Sequence, residues 1–160
     1  MPETRILSDT RYEKLLKDLR TLIQEGKDRA QRAAAQELLQ TYWEIGRRIT
    51  EENLSGHAGY GDSIRVDLAE DLQIDEKTLL RAELFFERYK NGAPRGTNLT
   101  WSHYRELLPI EDAQARKFYE SQAEKEDWTR DELVRAIRRD AFESGEWRSK
   151  FPRRNDVYNP

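Results

Sequence analysis

Apolar residues recur at helical spacing along nearly the whole chain. Tyr12, Leu15, Leu16, Leu19, Leu22 and Ile23 fall three and four positions apart, which predicts an amphipathic helix over 9–25. A Thr10/Glu13 capping box would open it, and Gly26 would end or bend it. Ala30, Ala33, Ala34, Leu38, Tyr42, Ile45 and Ile49, widened by Leu39 and Trp43, predict a second helical face over 27–54. The pair reads as a long helical hairpin, or one long kinked helix, packing in a bundle or against a second copy.

Three glycines in SGHAGYG, residues 55–61, break the pattern. A phosphate-cradling glycine loop follows a strand and leads into Lys-Ser/Thr; neither feature is present, so the stretch reads as a tight turn. Residues 62–90 then divide into a helix to Leu72, a turn Gln73-Ile74-Asp75, and a helix from Glu76. Asp75 is a natural N-cap. Ala69 is small where a second helix would cross, Leu72 and Ile74 would plug the turn, and Leu79 and Ala82 would seat the second helix. That is the spacing of a helix-turn-helix at about 62–90.

After the loop NGAPRGTN, residues 91–98, three more helices are expected. The first runs from Trp101 to Leu108, capped by Thr100 and ended by Pro109. The second runs from Glu111 to Lys125. The third follows a Thr129/Glu132 capping box and reaches Phe142. Phe118, Tyr119, Ala123, Leu133, Ile137 and Phe142 would face the core. The expected fold is all-α: an N-terminal long helical hairpin, a helix-turn-helix and a three-helix C-terminal bundle. One helical domain would fill residues 1–143, with 144–160 as a linker or mobile tail.

Composition narrows the chemistry. Of 160 residues, 36% are hydrophobic and 37% charged, so apolar residues must be confined to narrow stripes, which suits helices. Absence of cysteine excludes disulfides, thiol nucleophiles and cysteine-based zinc sites. With only His57 and His103 far apart, a histidine-built metal site is not expected, nor is any cofactor. No secretory leader or membrane span is visible, which points to the cytoplasm and no membrane partner. The net charge of −3 offers no bulk attraction to nucleic acid, so any DNA contact must come from a local patch.

That patch is sought on the second helix of the motif. Lys77, Thr78 and Arg81 stand where a recognition helix meets base edges, with Arg81 suited to guanine. Arg88, Lys90, Arg95 and Arg105 flank the following loop and would hold phosphates, with His103 beside them. From Asp75 to Lys90 four acids balance four bases, a poor electrostatic footprint for DNA. The carboxylates Asp67, Glu70, Asp71, Glu111 and Asp112 could serve a metal or acid–base chemistry, but such runs more often solvate helices or favour their N-terminal dipoles. No nucleophile accompanies His103, and no catalytic residue is expected.

Several segments resemble the N-terminal domain of the YhcG-type family (domain of unknown function 1016). The resemblance rests on Tyr42-Trp43, Ile45-Gly46, Gly59-Tyr60-Gly61, Leu99, Trp101-Ser102-His103-Tyr104, Leu107-Leu108, Arg116, Phe118-Tyr119, Trp128-Thr129 and Leu133, and covers roughly residues 10–142. Members usually continue into a PD-(D/E)xK nuclease domain, so the resemblance implies a helical DNA-binding module that guides a nuclease. No segment supplies the β-core of that nuclease. The second helix of the motif, EKTLLRAELFFERYK, is poorer in arginine than is usual in the family. A helix-turn-helix followed by Leu-Thr-x-Ser-His-x-Arg is also similar to the DNA-binding region of ParB-type partition proteins.

The functional expectation is a DNA-binding, targeting module of a nuclease system, with DNA and a nuclease domain or subunit, in cis or trans, as partners. The alternative is an interaction module in which residues 9–54 dimerise or recruit a nuclease subunit.

Overall fold

The structure is a computed structural model, which describes residues 8–54 and 61–139. These residues form six helices and no strand: α1 (Asp9–Leu54), α2 (Gly61–Leu72), α3 (Glu76–Arg88), α4 (Trp101–Leu107), α5 (Ala113–Lys125) and α6 (Arg130–Arg138). The all-α expectation therefore holds. The glycine-rich 55–60 stretch, Phe142 and the 144–160 tail lie outside the described residues. By internal contacts the chain divides into two units, meeting at Ala35 and Gln36.

The hairpin does not form at Gly26; α1 runs through it as one helix. A helical glycine costs about 1 kcal/mol relative to alanine, and the neighbours Gln24, Glu25, Lys27 and Arg29 tolerate or favour helix. Gln24 Nε2 donates to Asp28 Oδ1 at 2.9 Å across the glycine. The expected Thr10 cap is also displaced, because Thr10 already lies inside α1 and Tyr12 N donates to Ser8 O. In the first unit the apolar stripe is open: Leu15, Leu19, Leu22 and Ile23 are each 45–60% exposed.

The second unit holds the core. Leu39 of α1, Phe85 of α3, Trp101, Tyr104 and Leu107 of α4, Phe118 and Tyr119 of α5, and Leu133 of α6 are buried together. Each large apolar side chain so buried contributes about 1.5–3 kcal/mol. Aromatic rings order the centre. Tyr42 stacks on Trp101 at 4.3 Å, and Phe85 meets Tyr89, Trp101 and Tyr104 at 5.2–5.4 Å. Trp43 packs edge-on against Phe86 and donates from Nε1 to Tyr89 O at 2.8 Å. Leu38, expected on the buried face, points outward, and Leu39 takes its place.

Close backbone approach fixes α1 against α3. Gly46 is buried, and a Cβ there would overlap the backbone carbonyl of Ala82, itself fully buried. Only glycine admits such a crossing.

The C-terminal helices are set by caps. Asp112 accepts from Ala115 N at 2.8 Å, so α5 starts at Ala113 rather than Glu111. Thr129 and Glu132 form the expected capping box of α6. Phe118, Tyr119, Ala123 and Leu133 are buried and Ile137 is half-buried, as their spacing predicts.

Candidate nucleic-acid interface

The stretch from α2 to α3 forms two helices joined by Gln73, Ile74 and Asp75. Two hydrogen bonds close α2: Gln73 N to Glu70 O at 3.3 Å and Ile74 N to Ala69 O at 3.0 Å. This is a Schellman ending, in which the residue after the helix takes a left-handed conformation. That residue is Gln73, with φ of 54°. Asp75 caps α3 by accepting from Lys77 N at 2.9 Å. Ile74 is half-buried, whereas Leu72, expected to plug the turn, is 55% exposed.

An ion pair ties the two helices laterally. Arg65 Nη1 of α2 lies 3.1 Å from Glu83 Oε2 of α3, and both side chains are at most 15% exposed. Leu79, Ala82 and Phe85 turn α3's inner face into the core. Its other face stays available: Lys77, Leu80 and Glu87 are exposed, and Thr78 and Arg81 are half-buried. Among the described residues, the side chains of Lys77, Arg81, Lys90, Arg95 and Arg105 form no ion pair.

The eight residues expected to contact DNA do not converge on one cleft. Lys90 lines a cleft with Leu80, Leu84 and Glu87, Arg95 lines another with Gln36 and Gln40, and Arg105 is exposed on α4. Arg88 is half-buried and donates from Nε to Leu108 O at 2.9 Å. It lines a cleft of about 380 Å³ with Tyr89, Arg116, Lys117 and Glu120. Arg116, which was not among the residues expected to bind DNA, donates from Nη1 to Ile110 O at 2.6 Å. Burial, and then the positive charge of Arg88, hold its pKa below the usual arginine value. Nothing in the spacing of the sequence places these two arginines together.

Glu120 lies beneath that cleft. It accepts from Tyr89 Oη at 2.8 Å and from Tyr104 Oη at 3.2 Å. Burial pushes its carboxyl up, opposed by the two hydroxyl hydrogen bonds. Burial, and then the charge of Glu120, raise both tyrosines.

His103, expected near the phosphates, is instead buried with both ring nitrogens occupied. Nδ1 accepts from Thr100 N at 3.0 Å, and Nε2 lies 2.7 Å from Trp128 O. The tautomer satisfying both contacts carries its proton on Nε2, which donates to the carbonyl. The ring thus caps α4 and fastens it to the chain ahead of α6. No ring nitrogen remains for a phosphate.

The acidic candidates fall into two places, Asp67, Glu70 and Asp71 together on α2 and Glu111 with Asp112 at the start of α5. Asp67, Glu70, Asp71 and Glu111 are exposed, and Asp112 caps α5. Among the described residues no group of three or more His, Asp or Glu is arranged to hold a metal, and no helix is long and apolar enough to cross a membrane.

In a comparison with known protein families, the DUF1016 N-terminal domain matches residues 18–144. The chain belongs to the DUF1016 N-terminal domain family. No curated protein and no solved structure matches it. In this DUF1016 domain many of the residues carrying the resemblance build the interior. Gly46, Trp101, His103, Tyr104, Leu107, Leu108, Phe118, Tyr119 and Leu133 are all buried. The family pattern is therefore largely a fold pattern.

Proposed function

We propose that this chain is a DNA-binding, targeting module of a nuclease system and contributes no catalytic group itself. One observation carries the reading. A capped two-helix unit, braced by Arg65 and Glu83, leaves the outer face of α3 open, and its cations Lys77 and Arg81 form no ion pair among the described residues. A recognition helix needs such a face, because its first turns must reach base edges. Lys77 and Arg81 read bases. Lys90, Arg95 and Arg105, all exposed, hold phosphates. Arg88 and His103 serve the fold first, through Leu108 O and Trp128 O. The nuclease partner, in cis or trans, is inferred from the family resemblance, and the separate, lesser similarity to ParB-type proteins supports the DNA-binding part of the reading.

The experiment is a gel-shift titration with duplex DNA at several salt concentrations. Affinity should fall linearly with the logarithm of salt, as phosphate neutralisation requires. Absence of binding at low salt would reject the reading. A second reading, protein docking, is favoured by the exposure of Leu80 on the same face and of Val66 and Leu72 on α2. Capture of a nuclease subunit with weak salt dependence and no DNA shift would select it.

A further inference from the structure

The N-terminal part of α1 carries a repeat finer than general amphipathicity. Tyr12, Leu16, Leu19, Ile23, Gly26, Ala30 and Ala33 are spaced 4, 3, 4, 3, 4 and 3 residues apart. That is the a/d rhythm of a coiled coil, whose 3.5-residue period keeps one seam facing a partner helix. The seam lies on an unbroken helix; of its large members Leu19 and Ile23 are 46% and 59% exposed, and Tyr12 and Leu16 are half-buried. The rhythm stops at Ala33, because the next positions in the series are Glu37 and Gln40. It ends where the second unit begins, at Gln36.

We propose that this seam pairs with the same seam of a second copy of the chain, in parallel register. Two features select that occupant. The positions flanking the seam are Leu15, Leu22 and Arg29 on one side and Glu13, Arg20 and Lys27 on the other. In a parallel pair each flanking residue faces the one five positions further along the partner. Leu15 then meets Arg20 and Leu22 meets Lys27, so aliphatic stems cover leucines and no like charges oppose. An antiparallel pair would set Arg20 against Lys27 twice. Leu19 at a d position and Ile23 at an a position also follow the preference of parallel two-stranded coils. From Tyr12 to Ala33 the seam spans about 33 Å at 1.5 Å per residue. On two helices about 10 Å wide this covers about 660 Å² in projection, below the roughly 1,200 Å² of a standard interface. So small an interface makes a reversible pair rather than an obligate dimer.

The pairing is independent of DNA binding. Sedimentation of the full chain should show a concentration-dependent monomer–dimer equilibrium. Leu19→Glu with Ile23→Glu should abolish it while circular dichroism stays unchanged, since both side chains are exposed. A chain that stays monomeric to millimolar concentration, or a double variant that still dimerises, would overturn the proposal. The absence of native cysteine allows an orientation test. Leu16→Cys alone should cross-link with itself under oxidation. Cross-linking only when Leu16→Cys is mixed with Ala33→Cys would establish an antiparallel pair and overturn the parallel assignment.

Discussion

Gly46 and the carbonyl of Ala82 occupy adjoining space with no room for a methyl group between them. The α1–α3 crossing is therefore set by backbone against backbone. Gly46→Ala should force the helices apart and cost about 1–3 kcal/mol or more. Gly26 is the contrast, since its nearest neighbour to an added Cβ is Arg29 Nη2 at 3.9 Å. Gly26→Ala should stabilise the helix by up to about 1 kcal/mol. Thermal unfolding of the two variants should move in opposite directions.

Removing the imidazole of His103 deprives two part-buried backbone groups, Thr100 N–H and Trp128 C=O, of their side-chain partner. His103→Ala should destabilise the fold by about 0.5–1.5 kcal/mol for each hydrogen bond lost. Denaturant titration measures this. An unchanged midpoint would show that neither bond matters.

Gln73 holds a left-handed backbone that favours glycine. Gln73→Gly should raise stability by about 1 kcal/mol if strain at the turn exceeds the entropy glycine adds to the unfolded chain. A lower melting temperature would show that the entropy term wins.

Burial lifts the Glu120 carboxyl above its ordinary value of 4.5. The folded chain then holds that proton more tightly than the unfolded chain does. Its contribution to stability is greatest below the window and declines as pH rises through it. The melting temperature of the wild type relative to Glu120→Gln should therefore fall as pH rises from 4.5, the ordinary carboxyl value, through the raised one. A difference that stays constant with pH would contradict this.

In DNA titrations, Arg81→Ala should lower affinity by about 1–3 kcal/mol and relax discrimination between sequences. Lys90→Ala should lower affinity evenly across sequences and reduce the salt slope by about 1. Equal binding by the wild type and both variants would remove these residues from the interface.

Much of this architecture was legible because helical periodicity and caps are local. Asp75, Thr129 and the spacing of Leu79 with Ala82 mark α3 and α6 where the structure has them. The hairpin expectation failed because one glycine cannot stop a helix whose neighbours continue it. Gly46 was readable in principle, since a glycine inside an apolar-patterned helix signals close backbone approach. The site was far less legible. His103 finds its partner in a backbone carbonyl 25 residues away, and Arg88 meets Arg116 across two helices. No spacing rule encodes either meeting.

The double anchoring of His103 bears on how loss-of-function variants are interpreted. A screen that mutates His103 and scores inactivity would find an apparent catalytic essential. The underlying event would be release of the strap between the start of α4 and the approach to α6. Soluble yield and circular dichroism, recorded beside the functional readout, separate a vanished chemistry from a vanished scaffold.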